Sequence, residues 1–167
     1  MPSITQPADY KGRFAITKNS LNTEKIQQFI DNVEPTQLNK LFGVELYALY
    51  LVGIGEATPD AIWTKLRDPF FFQSECGKIF ESKGLKEMLL GFVYFKYYAE
   101  TFAQASTNGV VVDVPENSVK ASDMDANLYA RYNDSVKTYR AIQQYICENM
   151  DVYPAFKGQK ILLNNWF

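Results

Sequence analysis

The sequence predicts a mainly α-helical fold. We expect a small bundle of four to five helices, a long β-prone loop or hairpin between the last two long helices, and extended arms at the N- and C-termini. Three observations predict it. Apolar side chains recur at three- and four-residue steps through most of residues 23–156, which is the spacing of one helix face. The valine-rich run from Val110 to Val114 is short and framed by Asn108-Gly109 and Pro115, a turn signal and a strand breaker. The composition is that of a packed body: 47% of the 167 residues are apolar and 22% charged, with 12 phenylalanines and 11 tyrosines. This length suits one domain with its own core. We divide it into an arm over 1–22, a bundle over 23–156 with a protruding loop at 107–122, and a tail over 157–167.

Each element has a local reason. Residues 1–22 contain Pro2, Pro7 and Gly12 and show no periodicity, so they read as an extended arm. Asn22-Thr23-Glu24 opens a first helix through Ile26, Phe29, Ile30 and Val33. Pro35 removes a backbone donor, so a kink or restart is expected there. A second helix follows through Leu38, Leu41, Phe42, Leu46, Leu49 and Tyr50, ending near Gly53 and Gly55. Thr58-Pro59-Asp60 opens a third, with Thr58 as cap, and Pro69 stops it. Residues 70–83 have no clean period and read as an irregular connection. The fourth helix runs from Gly84 to about Ser106. Its middle, Met88 to Phe95, is apolar on every face and so should be the most buried, with Gly91 admitting a close neighbour. The last helix begins near Asp123, carries Leu128, Tyr132, Val136, Tyr139, Ile142 and Ile146, and ends before Pro154.

The composition argues against most catalysis. There is no histidine, which removes imidazole acid–base pairs and the commonest metal ligand. Cys76 and Cys147 are too few for a disulfide framework. Cys76 beside Glu75 reads as inert and Cys147 as a small core filler. Gly53-Ile54-Gly55 and Gly77-Lys78 lack the remainder of any nucleotide-binding fingerprint. Asp123 and Asp125 could hold a cation, but acids at a helix start are also what the helix dipole favours. The aromatic run Tyr94 to Tyr98 reads as core packing around a snorkelling Lys96. We therefore expect no enzyme, no cofactor and no metal. Leu41–Gly55 carries Glu45 and falls short of the ~20 apolar residues of a membrane span, so it reads as a buried helix of an intracellular protein.

The net charge of −2 conceals a segregation. Residues 1–22 hold Lys11, Arg13 and Lys18 against Asp9 alone, and 157–167 hold Lys157 and Lys160 with no acid, so every surplus acid lies on the body. The candidate interaction residues follow. Lys11, Arg13 and Lys18 form a basic arm that would dock on acidic neighbours. Val110, Val111, Val112 and Val114 sit in a connection about twice the usual ~2–8 residues and are suited to strand addition. Ile161, Leu162, Leu163, Trp166 and Phe167 give an apolar tail that should be pinned against something, its own bundle or a neighbouring subunit.

Several of these stretches resemble one family. Ile26-x-x-Phe29-Ile30, Leu38-x-x-Leu41-Phe42-Gly43-Val44-Glu45-Leu46-Tyr47, the Gly84–Tyr98 helix, Thr107-Asn108-Gly109-Val110 and Arg131 to Ile146 together look like the helical head–tail connectors of tailed bacteriophages. These are also called neck, adaptor or head-completion proteins, and the resemblance covers about residues 23–156. It implies a ring, typically of twelve subunits, that joins the portal protein to other neck or tail proteins. DNA would pass through without being read, and no membrane is involved. The location implied is the virion's head–tail junction, after assembly in the host cytoplasm. The alternative from the residues alone is a soluble helical binding or regulatory protein, monomeric or dimeric, with an aromatic-rich core.

Overall fold

The computed structural model describes residues 3–16, 23–102, 104–106, 109–111 and 121–159. Within them the chain is mainly helical. Two short 3-10 turns, Pro7–Asp9 and Gly12–Phe14, precede α1 (Thr23–Phe42), α2 (Val44–Ile54) and α3 (Ala61–Arg67). An antiparallel hairpin, β1 (Phe70–Gln73) and β2 (Ile79–Ser82), leads into α4 (Gly84–Phe102). A second small hairpin, β3 (Gln104–Ser106) and β4 (Gly109–Val111), precedes α5 (Ala121–Cys147). The helical bundle and a hairpin between the last long helices are thus as expected, but α4 ends at Phe102 and not near Ser106, because Gln104–Ser106 pairs as β3 with Gly109–Val111.

Helix α4 is the central element, packed between α5 and α1. Leu85, Met88, Leu89 and Val93 are fully buried, as expected of a segment apolar on every face. Gly91 is where α5 comes closest. A Cβ there would stand 3.1 Å from the Arg131 carbonyl oxygen and 3.3 Å from the Ser135 Cβ, so the missing side chain sets the spacing of the two helices. The aromatic run is core, with Tyr94, Tyr97 and Tyr98 buried, while Lys96 lies outside and pairs with Glu100 at 2.6 Å.

Four further local expectations are corrected. The chain does not restart at Pro35, because α1 continues through it. Proline in a helix interior costs about 3 kcal/mol. Here Ile26 and Ile30 are buried on one side of it and Leu38, Leu41 and Phe42 on the other, so packing holds both halves in one helix. The Thr36 hydroxyl also donates to the Asn32 carbonyl at 2.8 Å, beside the disrupted turn. The break comes instead at Gly43, whose φ of 81° lies in the left-handed region that favours glycine. The cap of α3 is Asp60, which accepts from the Ile62 N–H at 3.2 Å, and not Thr58. Residues 70–83 are a hairpin: Phe70 and Phe72 alternate inward with Phe80 and Ser82, and Phe72 stacks on Phe80 at 5.2 Å. Finally, Cys147 is exposed at the end of α5. One residue past buried Ile146 is a rotation of about 100°, enough to leave the core.

The end of α1 is closed by the other end of the chain. The Lys157 N–H donates to the Phe42 carbonyl at 3.1 Å and the Gln159 N–H to the Lys40 carbonyl at 2.6 Å. Gln143 on α5 supplies the donor between them: its Nε2 donates to the Leu41 carbonyl at 3.1 Å and to the Gln159 carbonyl at 2.9 Å. The Tyr139 hydroxyl also donates to Gln159 at 2.5 Å, and burial pushes its pKa up, keeping the proton on the donor. A Cβ on Gly158 would run into the Leu41 carbonyl and lie 2.7 Å from Gln143 Nε2. Replacing Gln143 with Leu leaves two carbonyls without this donor and should cost about 1–3 kcal/mol of stability in urea unfolding. Gly158→Val should cost a comparable amount, and unchanged midpoints for both would show that this closure is not structural.

Candidate interaction surfaces

The N-terminal segment lacks an α-helix, but its described residues lie against the bundle instead of projecting from it. Tyr10, Phe14 and Ile16 are buried against α1 and α4. Its start is held by Glu34, which accepts from the Ile4 N–H at 2.9 Å, the Thr5 N–H at 2.8 Å and the Thr5 hydroxyl at 2.5 Å. This carboxylate is only 3% exposed, and three donors compensate its desolvation. The sequence carried a signal for it that went unread. Ile26, Ile30, Glu34 and Leu38 follow at four-residue steps, so an acid stands in an apolar stripe.

Further along, the arm's charges are answered within the chain. Arg13 lies 2.9 Å from Asp134 and 3.6 Å from Glu87, and Lys86 lies 2.8 Å from Asp9. Lys83 also reaches Asp134 at 3.5 Å. Of the predicted basic arm, Arg13 therefore engages the chain's own acids, Lys11 is exposed, and Lys18 lies outside the described residues. At Asp9 and Asp134 burial works against ionisation, but the cations Lys86, and Arg13 with Lys83 and Lys137, outweigh it and hold both carboxyls below their ordinary value.

The second surface is the outer side of α2. Leu46, Tyr47, Tyr50 and Gly53 face the core, yet Val44 is 77% exposed, Leu49 49% and Val52 70%. With Ala48 these form one continuous stripe along the helix. The expectation of a fully buried helix thus fails on one side: apart from Glu45 the outward face is apolar, but the described chain leaves it uncovered. Residues 44–56 contain Glu45 and Glu56 and no base, and Glu45 lies 3.4 Å from Lys157.

The third surface is the outer face of the β1–β2 hairpin. The register that points Phe70 and Phe72 inward points Phe71 and Gln73 outward beside Glu81 and Ile79. Phe71 is 67% exposed and Ile79 71%. Between β2 and α5 runs a groove of about 380 Å³, floored by Thr138 and Ala141 and edged by Ile79, Lys78, Lys137 and Arg140. Sequence reasoning missed this site because the hairpin itself was missed.

Of the valine loop, Val110 and Val111 lie on β4, paired in register with Ala105 and Gln104 of the same chain. Val112 and Val114 lie outside the described residues, as do Ile161, Leu162, Leu163, Trp166 and Phe167. Cys76 is exposed, and hydrogen bonding with the Ser74 hydroxyl and at the Lys78 backbone holds its thiol below the ordinary value against the opposing charge of Glu148. Among the described residues no cluster of three or more Asp, Glu or Cys is placed to hold a metal ion. None of their helices is long and apolar enough to cross a membrane. Comparison with protein-family models, curated proteins and solved structures finds no match.

Two outcomes follow for the N-terminal segment. Glu34→Ala should free residues 3–16, seen as faster amide exchange at Ile4 and Thr5 and as tryptic cleavage at Lys11 and Arg13 with the helices retained. The Asp9 and Asp134 contributions are complete above about pH 4 and fade as pH falls through their lowered values, because protonation breaks the pairs. Exchange at residues 9–16 should therefore rise in acid before global unfolding, and Asp134→Asn should reproduce part of that rise at neutral pH.

Proposed function

We propose that this protein is a structural subunit of a virion, a head–tail connector or neck adaptor that forms a ring, joins the portal to the tail and lets DNA pass. One observation carries the reading: α2 turns Val44, Leu49 and Val52 outward, where the described chain leaves them exposed, with Glu45 the one charge among them. A helix of this composition is stable in water when something covers its second face. In a ring that cover is the adjoining subunit, and the contact is repeated at each step around the circle. The resemblance over residues 23–156 supports the same assignment. Binding surfaces suffice for such a role, and no chemistry is required of it. The portal and other neck or tail proteins are the proposed partners, at the head–tail junction.

The test is a mass measurement of the full chain, alone and mixed with the portal protein of its own genome, and of a variant lacking residues 161–167. The intact chain should assemble into a ring on the portal, and the truncated one should keep its helicity but lose docking. A chain that stays monomeric and ignores portal and tail proteins would overturn the reading in favour of a self-contained binding protein.

A further inference from the structure

We propose that copies of this chain associate head to tail, with the outer face of α2 on one copy seated against the β1–β2 hairpin and the β2–α5 groove of the next. The inference rests on the ring reading above and specifies its contact.

Both surfaces expose large apolar side chains, Val44, Leu49 and Val52 on one and Phe71 and Ile79 on the other, and they belong to different parts of the molecule. Helix α2 packs on α1 and α3, whereas β2 packs on α5. Because each is anchored to its own element, one copy cannot bring its two surfaces together. A second copy can cover both.

Charge decides between like-to-like and unlike pairing. If two α2 faces met antiparallel, Glu45 would approach Glu56 of the other copy; if they met parallel, Glu45 would approach Glu45. Either arrangement brings carboxylates together on a segment with no base of its own, Lys157 at 3.4 Å from Glu45 being the nearby cation. The groove presents the opposite balance, with Lys78, Lys83, Lys137 and Arg140 against Glu81 and Asp134. An α2 stripe laid there puts Val44, Leu49 and Val52 near Phe71 and Ile79, and its terminal carboxylates among the bases. The small residues Thr138 and Ala141 on the groove floor leave room for a helix to approach.

Unlike surfaces have a consequence for assembly. A contact between two different patches leaves one of each unused on every pair, so it repeats until the circle closes. A self-complementary contact would stop at two.

The test uses two full-length variants, Val52→Lys and Ile79→Glu, each at an exposed position and each checked for helicity. Sedimentation and native mass are read alone and on portal rings. Either variant by itself should weaken self-association by about tenfold or more. Mixed in equal amounts they should form a 1:1 dimer that grows no further, because the Val52→Lys copy keeps its groove and the Ile79→Glu copy keeps its α2 face. If a charged variant loses helicity, Val52→Ser and Ile79→Ser take its place. Rings that form undiminished in both variants would overturn this contact while leaving the ring reading intact. A mixture that stays monomeric, while the unaltered chain assembles, would also overturn it. An unaltered chain that never assembles, even on the portal, would overturn both.

Discussion

The break between α1 and α2 governs the rest of the molecule. A helix that ends abruptly inside a protein leaves its last carbonyls without partners, and burying them bare is costly. Here the carbonyls of Lys40, Leu41 and Phe42 receive donors from Gln159, Gln143 and Lys157. The positive φ at Gly43 turns the chain directly into α2, and the Lys157 backbone lies so near that a Cβ on Gly43 would be 3.0 Å from it. This one junction ties the C-terminal segment, α5 and the α1–α2 corner together. It thereby fixes the side from which the α2 stripe faces outward.

A second consequence concerns the two ends of the chain. Charge counting presents them as matching basic arms on an acidic body. In the structure they are used differently. The described N-terminal residues are fastened by a buried carboxylate, three aromatic or aliphatic anchors and a set of exposed ion pairs that hold them to α4 and α5. The C-terminal segment is fastened through its backbone up to Gln159. Among the described residues, large apolar side chains stay exposed on α2 and on the first hairpin.

The aromatic residues illustrate how the core is filled. Phe70, Tyr145, Tyr153 and Trp63 pass tilted and edge contacts in that order from the hairpin through α5 to α3, and Tyr153 also donates to the Ile62 carbonyl at 2.9 Å. Phenol hydroxyls inside such a core need acceptors, and this one finds a helix carbonyl. Large rings let a chain of this length bury enough area to be stable, and they also explain why short helices such as α3 hold their places.

By itself the sequence determined the class of fold, the central place of the Met88–Phe95 helix, the close approach at Gly91 and the β-prone excursion after α4. Those follow from residue spacing and side-chain size, which act within a few residues. It also held, in the stripe Ile26-Ile30-Glu34-Leu38, a sign that an acid would be buried. Only the tertiary structure decided that α1 runs through Pro35, that Gly43 makes the break, that 70–82 forms a hairpin and that one side of α2 stays outside. Each of these depends on partners far away in the chain: packing on both sides of the proline, the Lys157 backbone against Gly43, Tyr145 beneath Phe70 and Phe72. Local spacing tells which faces are apolar; which of them is covered depends on where the rest of the chain comes to lie.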